Sequence, residues 1–138
     1  MKAAVAELSD EDVWWREHES NNSIGNLILH LVGNVSEWIV LSLGNQEFLR
    51  NRNQEFNERN HLPLSELLSR LDLAVQAADQ VLAQFPVEKL GEKFTIQKYE
   101  VSGMEAILHV TEHFSYHLGQ IVYISKLRTG RDLKFYNL

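Results

Sequence analysis

Three of the six histidines in the sequence, His109, His113 and His117, follow one another at steps of four residues. In a helix this spacing places the three imidazole rings above one another on a single face. Charged rings in such a stripe would repel one another in apolar surroundings, whereas neutral rings can share one cation through their nitrogen lone pairs. The stripe therefore indicates a site for a divalent metal ion.

Only an adjacent pair of this stripe can bind the same ion. Two histidines four residues apart can bring their ring nitrogens to metal-ligand distances of about 2.1 Å. His109 and His117, by contrast, lie about 12 Å apart along a helix axis. A further ligand must come from another helix, and His30, which lies among the apolar positions Leu27 and Leu31, is a candidate. The alternative for His30 is a hydrogen-bonded core residue, and the spacing leaves open which adjacent pair binds.

The composition limits the remaining chemistry. With 138 residues, the chain fits a single domain, 1–138, that is long enough to bury a core. The absence of cysteine excludes disulfides, thiolate metal sites and a cysteine nucleophile. A net charge of -6 provides no positive surface for a phosphate backbone, so we expect no nucleic-acid partner. The N-terminus lacks the apolar core of a signal peptide and no apolar run reaches about 20 residues, which predicts a cytoplasmic protein without a membrane partner.

The elements that must position these histidines are predicted to be helices. The chain contains only two prolines, and long stretches between them carry helix-forming residues at helical spacing, which favours an all-α fold. Residues 1–8 are predicted to form a partial leading helix, followed by an acidic capping cluster at 9–12. Three long amphipathic helices are predicted over about 24–43, 64–85 and 103–129. Together these elements suggest a four-helix bundle.

Two segments between the long helices differ in composition. Residues 46–61 are polar and predict a long loop with room for one short helical turn. Arg50, Arg52 and Arg59 in this loop are candidates to bind an anionic ligand, although the usual surface preference of charged residues favours a solvated loop. Residues 94–101 partly alternate in polarity and predict an extended crossover or a short strand.

Two motifs of the sequence resemble the DinB/YfiT-like superfamily of metal-binding four-helix proteins. The first is NSIGNLILHLVGN at 22–34, which contains His30, and the second is HVTEHFSYHLGQ at 109–120. Together the motifs are fairly specific, and the match covers most of the chain. The resemblance implies an up-down-down-up four-helix bundle, here with a shortened first helix.

The resemblance also implies a ligand set. In that superfamily one histidine of the second helix and a pair from the last helix hold a divalent ion, usually zinc or nickel, with open positions for water or substrate. Carried over by motif, the ligands would be His30, His113 and His117. The Gly-Gln dipeptide after the last of these fixes the register and would make His109 an accessory residue.

Three polar residues, Asn34, Glu37 and Gln120, lie one or two helical turns from a proposed ligand on the same face. They are candidates for hydrogen bonds to the ligands or for proton transfer, and Glu37 and Gln120 are the candidate catalytic residues. Glu112 precedes His113 rather than following it, so the HExxH arrangement of metalloproteases is absent. Protease activity is therefore disfavoured.

The activities implied by the resemblance include those of transferases and isomerases that use low-molecular-weight thiols such as bacillithiol or mycothiol. A three-histidine site with an open position can activate such a thiol or, equally, water. We therefore expect a metal-dependent transferase that acts on a small molecule with a small thiol, whose negative charge the arginines of 46–61 would bind, or a related hydrolase. The alternatives are a non-catalytic metal-binding stress-response module and a plain helical bundle without metal.

Two further properties can be anticipated. A short first helix would leave apolar surface uncovered, which favours a homodimer. Because the metal ligands must be neutral imidazoles, metal affinity should fall as the pH drops through the region around 6.5.

Overall fold

The computed structural model describes residues 1–59 and 62–133, most of which lie in helices. In chain order the elements are α1 Lys2–Val5, α2 Asp10–Trp14, α3 Ile24–Val35, α4 Arg52–Asn57, α5 Leu64–Gln84, β1 Lys93–Ile96, β2 Tyr99–Ser102 and α6 Gly103–Thr129. A π-helical segment, Ser36–Leu41, continues α3, and a 3₁₀ turn, Val87–Gly91, follows α5. The mainly helical class is confirmed, whereas the up-down-down-up arrangement and the single domain over 1–138 stay predictions.

Local capping explains where the helices begin. Ser9, Ser23 and Ser102 precede α2, α3 and α6, and each side chain accepts a hydrogen bond from a backbone amide three residues later. In all three caps the side chain at that third position in turn accepts a hydrogen bond from the backbone amide of the serine, which completes a capping box. At the other end of α6, Gly130 has a φ of 66°, a left-handed conformation that glycine adopts without steric cost. The predicted limits of the longest helix are therefore confirmed.

The predicted polar loop contains one short helix, α4, as the sequence allowed. The last two residues of that stretch, 60 and 61, lie outside the described residues. The predicted crossover at 94–101 is an antiparallel hairpin in which β1 pairs with β2 and Ile96 lies opposite Tyr99. Its strand character is confirmed.

The helix predicted over 24–43 changes its winding halfway. After Val35 the chain widens into the π-helical segment Ser36–Leu41, and the hydroxyl of Ser42 donates to the carbonyl of Glu37 at 2.7 Å. Apolar spacing of three and four residues does not distinguish such a segment from an α-helix. The wider turn shifts the side chains of Glu37 and Trp38 around the helix axis, and the ring of Trp38 stacks on His109.

Helix α3 is the centre of the packing. It contacts α4, α5 and α6, and it contributes to both apolar clusters of the core, with Ile28 and Leu31 in one cluster and Val35 in the other. By length and composition the segment Ile24–Leu41 could cross a membrane, although no apolar run long enough to do so was expected from the sequence. However, 78% of this segment is buried inside the fold, as in the core helix of a globular protein. The absence of a membrane partner stays a prediction.

Candidate metal centre

A cluster of three histidines lies where α3 meets α6. His30 comes from α3, whereas His113 and His117 come from successive turns of α6, and one ring nitrogen of each lies within 4.8 Å of those of the other two. Nε2 of His113 is 2.9 Å from Nε2 of His30. His30 and His117 are buried, and His113 is half-buried. The fold thus brings together the three residues implied by the family resemblance, at distances short enough to bind one metal ion.

The cluster fits a small divalent cation in both spacing and donor type. Ligand nitrogens at about 2.1 Å from a tetrahedral ion are roughly 3.4 Å from one another, so only small movements of the three rings are needed. Neutral imidazole suits zinc and nickel alike. Three protein ligands also leave one position of a tetrahedral ion open.

Glu55, at the middle of α4, sets the orientation of His30. Its Oε2 lies 2.9 Å from Nδ1 of His30. Nη2 of Arg50 lies 3.2 Å from the same nitrogen, but a guanidinium has no acceptor, so only the carboxylate can accept the His30 proton. The lone pair of neutral His30 is then on Nε2, the nitrogen that faces His113. Carboxylates that orient metal-binding histidines in this way also raise their basicity.

Arg50 holds Glu55 in place. Its Nε donates to Oε1 at 2.6 Å and its Nη2 donates to Oε2 at 2.9 Å, which forms a two-pronged ion pair. Burial raises the pKa of Glu55, but hydrogen bonds from Arg50 and His30 outweigh burial, so the pKa lies below its usual value. Glu55 is therefore a carboxylate at neutral pH.

The arginines of the polar loop do not form the solvated set that the sequence favoured. The Arg50 side chain is only 7% exposed, so the prediction of a solvated charge is wrong for this residue. Arg52 is exposed, with its guanidinium carbon 5.4 Å above the ring of Phe56, and Arg59 donates to main-chain carbonyl groups. The three side chains have separate partners, and only Arg50 lies beside the histidine cluster.

Gln120 orients His117 much as Glu55 orients His30. Its Oε1 accepts a hydrogen bond from Nδ1 of His117 at 2.7 Å, which leaves the lone pair of neutral His117 on Nε2. Its Nε2 donates to the hydroxyl of Tyr116 at 3.4 Å. This candidate catalytic residue therefore contacts a proposed ligand directly.

Glu37, the other candidate catalytic residue, contacts no histidine of the cluster. Its Oε2 accepts hydrogen bonds from Nη1 of Arg50 at 2.7 Å and from Nε2 of Gln97 at 2.6 Å. Because two donors engage this carboxylate, it is not a free base. Arg50 lies between Glu37 and His30.

His109, the third member of the stripe, lies outside the cluster. Its ring stacks on Trp38, with centroids 3.8 Å apart and planes inclined by 25°. Its Nε2 lies 3.4 Å from Nδ2 of Asn34, so this predicted neighbour of the ligands contacts the accessory histidine instead. Oδ1 of Asn34 is buried and has no hydrogen-bond partner among residues 1–59 and 62–133.

The environment of α6 keeps its histidines neutral. Burial, reinforced by the neighbouring histidines and Arg50, lowers the pKa of His113 to about 4. Burial also lowers the pKa of His109 and of His117, although the hydrogen bond to Gln120 partly opposes the effect at His117. At neutral pH these rings therefore carry lone pairs that a cation can use.

Glu55 was missed because its loop carries no helical or strand periodicity. A related signal was nevertheless present in the sequence, since Gly33 lies in the middle of an apolar helix. A Cβ at this position would lie 2.0 Å from Oε1 of Glu55, so the glycine leaves space for the carboxylate. Asn26, which completes the capping box of α3, also donates from Nδ2 to the main-chain carbonyl of Glu55 at 2.9 Å. The start of α3 is thereby tied to α4.

Comparison with known protein families gives a match over nearly the whole chain. A family model described as "Protein of unknown function (DUF1572)" matches residues 1–137. No curated protein and no solved structure matches the chain significantly. The family match covers the whole histidine cluster together with Glu55, Arg50 and Gln120, and it supplies no reaction.

Proposed function

Because this chain belongs to the DUF1572 family, within the DinB/YfiT-like clan, we propose that it is a divalent-metal-dependent transferase that uses a low-molecular-weight thiol. His30, His113 and His117 would hold one zinc or nickel ion. The observation that carries this proposal is the convergence of three imidazoles from two helices, with the proton of His30 held on Nδ1 by a buried carboxylate.

When bound, the ion supplies a Lewis acid that lowers the pKa of a thiol or water at its open position. The residues of the chain have separate tasks around it. Glu55 and Gln120 fix the orientations of His30 and His117, and Arg50 balances the charge of Glu55. The low pKa of His113 keeps that ring neutral and able to bind.

The carboxylates around the cluster favour an external thiol over base-assisted hydrolysis. Glu37 and Glu55 are both engaged by Arg50, and Glu112 is exposed on α6. No carboxylate among these three forms a hydrogen bond with His113 or His117 in the described residues. A thiol has an ordinary pKa of about 8.5, so lowering its pKa by the metal alone is sufficient for deprotonation at neutral pH.

A coupled metal and activity assay tests the proposal. Zinc-loaded or nickel-loaded protein is mixed with cysteine, bacillithiol or mycothiol and with 1-chloro-2,4-dinitrobenzene, from which the thiolate sulfur displaces chloride. We expect faster thioether formation with the wild type than with His113→Ala, and no change for His18→Ala, an exposed loop histidine. Release of product from an ester without any thiol would favour the hydrolase instead. Bound metal without turnover of either kind would favour the non-catalytic module.

The architecture, location and assembly complete the proposal. We infer an up-down-down-up bundle formed by the α1–α2 segment, α3, α5 and α6, in a cytoplasmic protein. Met104, Leu108 and Tyr116 on α6 are 45%, 52% and 65% exposed, and these uncovered large side chains support a homodimer. Sedimentation over a concentration series tests this: a dimer is expected for the wild type, with a shift towards monomer for Leu108→Lys. A wild type that stays monomeric at high concentration would contradict it.

A further inference from the structure

A cavity of about 450 Å³ lies between the segment that follows α2 and the second half of α6. Its volume is within the range of small-molecule sites. Gln120, which accepts the hydrogen bond from His117, lines this cavity, as does Leu27, one helical turn before His30. The cavity and the histidine cluster therefore share a wall.

The polar part of this wall contains Arg16, a half-buried residue with one unpaired guanidinium nitrogen. Nη1 of Arg16 is buried and has no hydrogen-bond partner in the described parts of the chain. Burial and the neighbouring Arg59 lower the pKa of Arg16, with a smaller opposing effect of Glu19. A buried guanidinium donor without a partner is costly, and a carboxylate is the group whose geometry matches it best.

Apolar side chains form much of the remaining wall. Trp15 is half-buried, whereas Tyr123 and Leu127 are 65% and 56% exposed although they line the cavity. Asn21 and Asn22 add amide groups near Arg16 in sequence. Glu17, an exposed carboxylate on the same wall, disfavours ligands with several negative charges.

We propose that this cavity binds a small organic monocarboxylate with an apolar or aromatic body. The carboxylate pairs with Arg16, and the body packs against Trp15, Tyr123 and Leu127. The assignment of this ligand as one of the two substrates of the transferase rests on the proposed function, because Gln120 would bring it beside the metal ligands. Binding in the cavity itself does not depend on a metal.

Calorimetric titration with 4-phenylbutyrate and its neutral amide tests the proposal. We expect the acid to bind the wild type and the amide to bind far more weakly. Arg16→Met should weaken binding of the acid roughly tenfold or more, through loss of a charge-assisted pair. Arg70→Met is the matched control, because Arg70 lies on α5 and pairs with Glu66, and it should bind as the wild type does. Thermal denaturation of each variant checks folding.

A second variant keeps the test decisive if Arg16→Met folds poorly. Leu127→Asp places a negative charge on an exposed residue of the wall and should abolish binding of the acid. Equal affinity for acid and amide, or tighter binding of inorganic phosphate than of the acid, would overturn the proposal. So would the absence of binding to the wild type.

Metal content is measured in parallel on the same preparations. If 4-phenylbutyrate binds through Arg16 to protein that takes up no metal, the cavity is supported and the transferase fails. If metal binds and the acid does not, the cavity proposal fails and the metal site stands.

Discussion

His109 and His117 lie four residues on either side of His113 along α6, yet their surroundings differ completely. His117 is buried beside His30, and its Nδ1 is held by Gln120. His109 stacks on Trp38 and meets the amide of Asn34. The spacing within α6 is the same in both directions, so α3 determines which neighbour joins the cluster.

The difference follows the change of winding along α3. His30 lies in the α-helical part, level with His113 and His117, and α4 supplies a carboxylate behind it. Further along, the π-helical segment Ser36–Leu41 presents Trp38, whose indole covers His109. One end of the histidine stripe therefore meets polar ligands and orienting groups, whereas the other meets an aromatic face.

The largest difference in zinc affinity is expected between two variants that each lack one end of the histidine stripe. We expect His117→Ala to weaken zinc binding by more than the roughly 100-fold that marks the upper range for orienting residues, because a ligand is lost. His109→Ala should leave the affinity almost unchanged. Competition with a chromophoric chelator measures both constants, and similar losses in the two variants would show that the two ends are equivalent.

Glu55→Gln should come next in size. The amide cannot accept the His30 proton with the strength of a carboxylate, so we expect zinc affinity to fall about 10–100-fold while the three ligands remain. Glu47→Gln removes an exposed carboxylate of the same polar loop, 46–61, and serves as the control. An unchanged affinity in Glu55→Gln would mean that the orientation of His30 does not depend on this pair.

Two helical glycines allow a matched test of the space behind His30. A Cβ at Gly33 would overlap Oε1 of Glu55, whereas a Cβ at Gly119 meets no atom within 4 Å. Gly33→Ala should cost about 1–3 kcal/mol in the free energy of unfolding and weaken zinc binding. Gly119→Ala should stabilise α6 by about 0.5–1 kcal/mol, because alanine is the better helix former. Urea denaturation measures both values, and a stable Gly33→Ala variant with full zinc affinity would contradict the close approach.

A smaller effect is expected in acid, where the burial of His113 should lower the free energy of unfolding of the metal-free protein. An unfolded histidine has a pKa of about 6.5, whereas that of folded His113 is about 4. As the pH falls from 6.5 to 4, the unfolded chain binds this proton first, so the free energy of unfolding of the metal-free protein decreases. Protons should also compete with the metal for His113 at a lower pH than the value near 6.5 that was expected from the sequence. Urea denaturation with chelator at pH 7 and pH 5 should show a smaller decrease for His113→Gln, and equal decreases would contradict the low pKa.

Much of this molecule could be predicted because the relevant signals are local. The capping serines and Gly130 mark the helix ends, and the histidine spacing together with the two motifs identified the cluster. Gln120, which orients His117, was also found from its spacing on α6, but the pair that supports His30 could not be found in this way. Arg50 and Glu55 lie in a polar segment without periodicity, and their burial depends on the packing of α4 against α3. The π-helical winding of Ser36–Leu41 likewise leaves no trace in the apolar pattern.

The most direct test of the metal site is its metal content. Tag-free wild-type protein and His113→Ala are purified without added metal or chelator, and bound elements are measured by element-resolved mass spectrometry. We expect one divalent ion per chain in the wild type and none in the variant. A wild type that takes up neither zinc nor nickel, even when each is supplied in excess, would contradict a metal centre on His30, His113 and His117.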